Sequence, residues 1–147
     1  MPVELNHTIL KAHDRRGTAE FIAEILGLPE PESFADDHFL IIRLSNDSSI
    51  DVMRVDDPFD MEHYAFKVSE EEFDQIFGRI KAKDVKYWAD PFMQVPDQIN
   101  ELDGGRGVYF LEPGGHSLEV LTKPYGKETE ALGLQNERRA PGKFPGA

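Results

Sequence analysis

Two histidine and carboxylate pairs stand in echoing surroundings. Leu5-Asn6-His7-Thr8-Ile9-Leu10-Lys11 is answered by Met61-Glu62-His63-Tyr64-Ala65-Phe66-Lys67, and Ser49-Ile50-Asp51-Val52-Met53 by Ser117-Leu118-Glu119-Val120-Leu121. Neutral imidazole and carboxylate are good ligands for Fe(II), Mn(II), Zn(II) or Ni(II), and a set of two histidines and one carboxylate leaves coordination positions open, which suits catalysis rather than structure. A single histidine near an apolar strand is more often a packing residue; the pattern gains weight because it recurs with its acid in the same place. The chain has no cysteine, so thiolate ligands, disulfides and Cys nucleophiles are excluded together.

Such residues act jointly only if the elements carrying them repeat as well. Val3 to Ala12 reads as a strand, and Asp14 supplies an N-cap for a helix over 15–26 with an apolar stripe of Phe21, Ile22, Ile25 and Leu26, closed by Gly27. Pro29 to Ser33 reads as a connector. His38 to Leu44 and Ser49 to Val55 then form a hairpin around Asn46-Asp47-Ser48. The order recurs: Met61 to Val68 is a strand, Ser69-Glu70-Glu71-Glu72 a capping box, and Phe73, Ile76, Phe77 and Ile80 the stripe of a second helix. Strands follow at Val85 to Trp88, Gly107 to Leu111 and Ser117 to Thr122. These observations predict an α+β architecture of two tandem βαβββ modules. Because strand faces alternate, His7 and His63 hold equivalent positions on their first strands, and Asp51 and Glu119 on their last.

The repeat is unequal: Glu119 lies further from His63 than Asp51 does from His7, and most of the excess falls in Pro91 to Arg106, a Pro, Gly and Asp-rich loop long enough to border a pocket. We expect one domain over 1–124, with module one at 1–57 and module two at 58–124, followed by a loose polar tail over 125–147. A formal charge of -12 over 147 residues repels phosphate backbones and anionic membrane surfaces, so no nucleic-acid or membrane partner is expected. Met1-Pro2-Val3-Glu4 carries no basic region or apolar run, and no long apolar stretch occurs, which leads us to expect a cytoplasmic protein.

The placement of His7, His63 and Glu119 resembles the vicinal oxygen chelate superfamily, which includes glyoxalase I, extradiol dioxygenases, fosfomycin-resistance enzymes and bleomycin-binding proteins. The segments His63 to Phe66, Tyr87 to Pro91, Gly104 to Phe110 and Gly115 to Val120 are similar to a small single-domain subgroup of dioxygenase-like enzymes of chartreusin (aromatic polyketide) biosynthesis. The resemblance implies the glyoxalase/bleomycin resistance/dihydroxybiphenyl dioxygenase fold, whose paired modules form a cupped mixed sheet around a metal held by His7, His63 and Glu119. It implies a divalent metal, Fe(II) before Mn(II), Ni(II) or Zn(II), a small-molecule substrate that is aromatic or polyketide-like with adjacent oxygens, dioxygenase-like chemistry, and a homodimer.

Tyr109 precedes Glu119 by ten residues, as a tyrosine does in the extradiol signature. If Glu112 to His116 form a five-residue loop, Leu111 opposes Ser117 and Tyr109 opposes Glu119, so that a phenol can reach a metal-bound oxygen. The extradiol acid/base histidine has no counterpart in Asn100-Glu101-Leu102, which tells against ordinary catechol cleavage. Asp51 is the fork. As a fourth ligand or a base it would suit a glyoxalase I-type lyase or isomerase with Ni(II) or Zn(II), but it is shorter than Glu and equally reads as a solvated acid. A metal-free, bleomycin-resistance-type binding protein is the third reading. Arg54 and Arg106 are candidate anion contacts or plain surface ions, while Trp88, Phe92 and Met93 line either a flat pocket or the core; His13, His38 and His116 read as caps, rim or turn residues.

Overall fold

The computed structural model describes residues 2–132. Among these residues there are two compact units, one of 2–60 together with 112–114, the other of 61–111 and 115–132. Each holds a four-stranded mixed sheet and a helix, which is the α+β repeat expected from the sequence.

The first unit runs β1 (His7–Ala12), α1 (Arg15–Leu26), β2 (Glu32–Phe34), β3 (Phe39–Arg43) and β4 (Ser49–Arg54), with sheet order β1-β4-β3-β2. β1 and β4 are parallel, and the other pairs antiparallel. α1 begins where Asp14 accepts from the Gly17 amide at 3.0 Å and ends at Gly27, whose φ of 71° closes the turn at little cost to a residue without Cβ. Its buried side is Thr18, Ala19, Ile22, Ala23 and Ile25; Phe21 and Leu26, expected in the stripe, are only half-buried. Leu10, Ala12, Ile50 and Val52 alternate inward along β1 and β4, leaving His7, Ser49 and Asp51 on the opposite face.

Two corrections to the sequence reading arise here. Residues 3–6 are not strand, because β1 pairs with β4 only from His7 opposite Ser49, and the chain before Ser49 is already turning. The connector after Pro31 contains β2, a short exposed edge tied to β3 by backbone pairing and by an Arg43 to Glu32 ion pair at 2.8 Å.

The second unit runs β5 (His63–Lys67), α2 (Glu70–Ala82), β6 (Tyr87–Trp88), β7 (Gly107–Leu111) and β8 (Ser117–Leu121), with sheet order β5-β8-β7-β6. Its topology repeats that of the first unit strand for strand. The capping box forms as expected: Ser69 Oγ accepts from the Glu72 amide at 3.1 Å, and Glu72 accepts from the Ser69 amide at 3.0 Å. Phe73, Ile76 and Ile80 are buried, while the Phe77 ring meets Tyr87 edge-on at 5.1 Å. Arg106 ties this helix down, donating to Glu70 and Asp74 at 2.7 and 2.8 Å with its guanidinium 4.5 Å over Phe73; those bonds raise its pKa. Arg106 is therefore neither a free surface ion nor a pocket anion contact.

The polar tail expected over 125–147 is described only as far as residue 132. Residues 127–132 are helical, and the preceding turn is bonded to Asp103; the remainder of the expected tail, 133–147, lies outside the described residues. No helix among the described residues is long and apolar enough to cross a membrane.

Candidate functional site

Parallel pairing of β5 with β8 sets His63 beside Ser117 and Ala65 beside Glu119, so His63, Ser117 and Glu119 share the sheet face opposite α2. The expected five-residue loop forms, and β7 pairs with β8 in the anticipated register: Leu111 with Ser117, Tyr109 with Glu119. Direct opposition gives Tyr109 that same face.

The side chains connect. His63 Nδ1 lies 3.0 Å from Ser117 Oγ and its Nε2 lies 3.1 Å from Glu119 Oε1. A serine hydroxyl either donates or accepts, so it fixes the ring in both tautomers: donating to Nδ1 when Nε2 carries the proton toward Glu119, accepting from Nδ1 when Nε2 offers its lone pair. The Glu119 side chain is only 4% exposed, and among the described residues no lysine or arginine pairs with it. A buried carboxylate facing an imidazole nitrogen without a cationic partner is a donor set that a divalent cation fits.

Tyr109 lies almost fully buried beside this pair, its ring stacked 6.0 Å from that of His63. Desolvation, reinforced by the Glu119 charge, pushes its pKa far above the ordinary phenol value, so the hydroxyl keeps its proton throughout the neutral range. A second phenol arrives from the segment expected to be loose: Tyr125 donates to Glu119 Oε1 at 3.1 Å, and desolvation plus that charge push its pKa up to about 12. These residues floor a cavity of about 670 Å3 walled by Pro91, Phe92 and the 125–132 segment. The loop after Trp88 is shaped by Asp90, buried and accepting from the amides of Phe92, Gln94 and Val95 at 3.2, 2.9 and 2.8 Å.

In the first unit the corresponding residues do not join. His7 is exposed, with Nδ1 2.7 Å from Asn6 Oδ1, and Asp51 accepts from Ser49 Oγ at 2.7 Å. Ile41 stands opposite Asp51 where Tyr109 stands opposite Glu119. Among the described residues no group of three His, Cys, Asp or Glu is gathered closely enough to hold a metal ion; His63 and Glu119 supply a pair.

Other candidates have structural duties. His13 bonds the Asp57 carbonyl at 3.0 Å, His38 meets the Phe39 ring edge-on, Arg54 pairs with Asp56, and buried His116 accepts from the Glu62 amide at 2.9 Å. Tyr125, Ser117, Asp90 and Asp103 were not singled out by sequence. The usable signals were an aromatic just beyond the last strand and a hydroxyl two residues before each acid.

No family model matches the chain. It is 30% identical over 121 residues to the glutathione transferase FosA of Serratia marcescens, covering 79% of this chain and 78% of that protein. Among solved structures it is similar to oxidase ChaP-H1, at 51% identity and TM-score 0.81 over 86% of this chain and all of that one (100%). Oxidase ChaP-H2 matches at 47% identity and TM-score 0.82, over 87% of this chain and 99% of that chain. The fosfomycin resistance protein FosX of Listeria monocytogenes, 24% identical with TM-score 0.63 over 89% of this chain and 99% of its own, shares the fold. With its repeated modules, its fold and these relatives, the chain belongs to the vicinal oxygen chelate superfamily and matches its chartreusin-type subgroup.

Proposed function

We propose that this protein is a metal-dependent oxidase or dioxygenase-like enzyme acting on a small aromatic or polyketide-like molecule with adjacent oxygens. The observation that carries the reading is the buried carboxylate of Glu119, paired with no lysine or arginine among the described residues and facing His63 at 3.1 Å on the floor of a cavity walled by Pro91 and Phe92. His63 and Glu119 would supply donors to the metal; Fe(II) is our assignment, and a homodimer our expectation for the assembly. Such an ion supplies Lewis acidity and open positions for two neighbouring oxygens.

The chain's own residues do the remainder. Ser117 orients the His63 ring. Tyr109, kept protonated by burial, donates its phenolic proton in a hydrogen bond to ligand oxygen as negative charge develops there. Phe92 and Pro91 exclude water from one side of the cavity and favour a flat apolar body. No histidine lies in Asn100-Glu101-Leu102 to act as a ring-cleavage base, so the oxidation we assign is not ordinary catechol cleavage.

The test is anaerobic loading of the purified chain with Fe(II), followed by measurement of bound metal. About one equivalent is expected in wild type and none in His63→Ala or Glu119→Ala. Stoichiometric binding that survives both substitutions overturns the assignment. Oxygen uptake separates it from the glyoxalase-type alternative, in which no dioxygen is consumed.

A further inference from the structure

Tyr125 lies beyond the last strand, yet its hydroxyl ends on the same oxygen of Glu119 that His63 reaches, and its ring, 62% exposed as a residue, faces the cavity. Its position is not left to a loose chain. Asp103, on the short 3-10 turn Leu102–Gly104, accepts from the amides of Gly126 at 2.9 Å, Glu128 at 3.2 Å and Thr129 at 3.3 Å, and from the Thr129 hydroxyl at 2.6 Å. Glu128 returns the contact by accepting from the Asp103 amide at 3.1 Å. Asp103 sits at φ 56°, a left-handed conformation that aspartate tolerates better than most residues. The carboxylate also fills the space a Cβ on residue 126 would need, so glycine there lets the backbone close on it. Five hydrogen bonds between two segments over twenty residues apart give the cavity a wall at 125–132, with Tyr125 at its inner end.

We propose that Tyr125 is a ligand-contacting, specificity-determining residue of this site, presented to Glu119 by a wall that Asp103 pins, and that the wall selects flat aromatic diols. The inference rests on the reading of the cavity as the substrate site. Tyr125 closes the gap between the polar floor at His63 and Glu119 and the apolar wall at Phe92, which suits a ring whose oxygens point at the floor. A phenol carries its proton at neutral pH and is a donor there, as needed to hold a carboxylate or a ligand oxygen.

The experiment uses the full chain, Mn(II) under argon, and 2,3-dihydroxynaphthalene as the probe, followed by fluorescence titration with amide hydrogen exchange alongside. Tyr125→Phe is expected to weaken the diol about tenfold and Tyr125→Ala more, the loss of one hydrogen bond and then of the ring. Asp103→Ala is expected to weaken it comparably and to abolish exchange protection at the amides of 126, 128 and 129, whereas Asp103→Asn restores most of both, a rescue that a general folding defect would not give. Each diol titration is run at saturating Mn(II), because removing the Tyr125 hydrogen bond to Glu119 is itself expected to weaken the metal by about 10-fold to 100-fold. If wild type takes up no Mn(II), the reading of the site falls. If it takes Mn(II) but not the diol, or if the Tyr125 variants bind the diol as tightly as wild type, the site stands and this inference is overturned.

Discussion

The two units share strand order, register and the place of histidine, serine and acid, but spend the serine differently. In the second unit Ser117 holds His63 and leaves its far nitrogen on Glu119; in the first, Ser49 donates to Asp51, and His7 is bonded to its neighbour Asn6. One methylene decides much of this. The shorter aspartate keeps its carboxylate close to its own strand, within reach of the serine two residues before it, whereas glutamate extends past Ser117 to the imidazole. The partner strand reinforces the divergence, with Tyr109 opposite Glu119 but Ile41 opposite Asp51. Equivalent backbone positions therefore do not make equivalent chemistry; side-chain length and one cross-strand neighbour separate an assembled pair from two dispersed residues.

The widest separation between the units should appear in metal affinity. Glu119→Gln is expected to weaken Mn(II) binding by at least about 100-fold, or about 2.7 kcal/mol, in calorimetric titration, while Asp51→Asn changes it by less than about threefold. Equal losses would make Asp51 a ligand and favour the glyoxalase-type chemistry. The serines come next. Ser117→Ala should cost about 10-fold to 100-fold in Mn(II) affinity by freeing the His63 ring, and Ser49→Ala should leave it unchanged.

Smaller differences lie in the helix starts. Ser69→Ala removes one arm of the reciprocal box of α2 and is expected to cost about 1 kcal/mol in urea unfolding, and Asp14→Ala, the single cap of α1, about the same or slightly less. The smallest effect is local to the second unit. Hydrogen bonding by Thr129 first, then by the backbone of 126–129, lowers the Asp103 pKa from its usual 3.8, so its contribution is present above that value and is lost as pH falls below it. Exchange protection of the Gly126, Glu128 and Thr129 amides should fade on acidification through that range while α1 amides stay protected, and Asp103→Asn should remove the pH dependence.

Local rules read well where local forces dominate. Asp14 and Gly27 bracket α1, Ser69 and Glu72 start α2, and the five residues from Glu112 to His116 set the register that faces Tyr109 with Glu119. Val3 to Asn6 look like strand by composition, but pairing needs a partner and β4 starts only at Ser49. β2 looks like a connector because Pro29 and Pro31 surround it; only its pairing with β3 makes it a strand. Asp103 and Tyr125 illustrate the harder case, since neither has a local pattern that announces an electrostatic pin on residues 126–129 or a phenol on Glu119.

The sequence by itself determined the repeat, the absence of thiol chemistry, the helix boundaries and the strand faces on which His7, Asp51, His63, Tyr109 and Glu119 lie, because caps, turn lengths and a period of two act between near neighbours. Only the tertiary structure decided which of those residues touch. Ser117 reaches His63 across 54 residues of chain, and the Ser49–Asp51 and Tyr125–Glu119 bonds, though only two and six residues apart, depend on side-chain reach and on the Asp103 pin 23 residues from Gly126. Hydrogen bonds discriminate at a few ångströms while residue patterns do not.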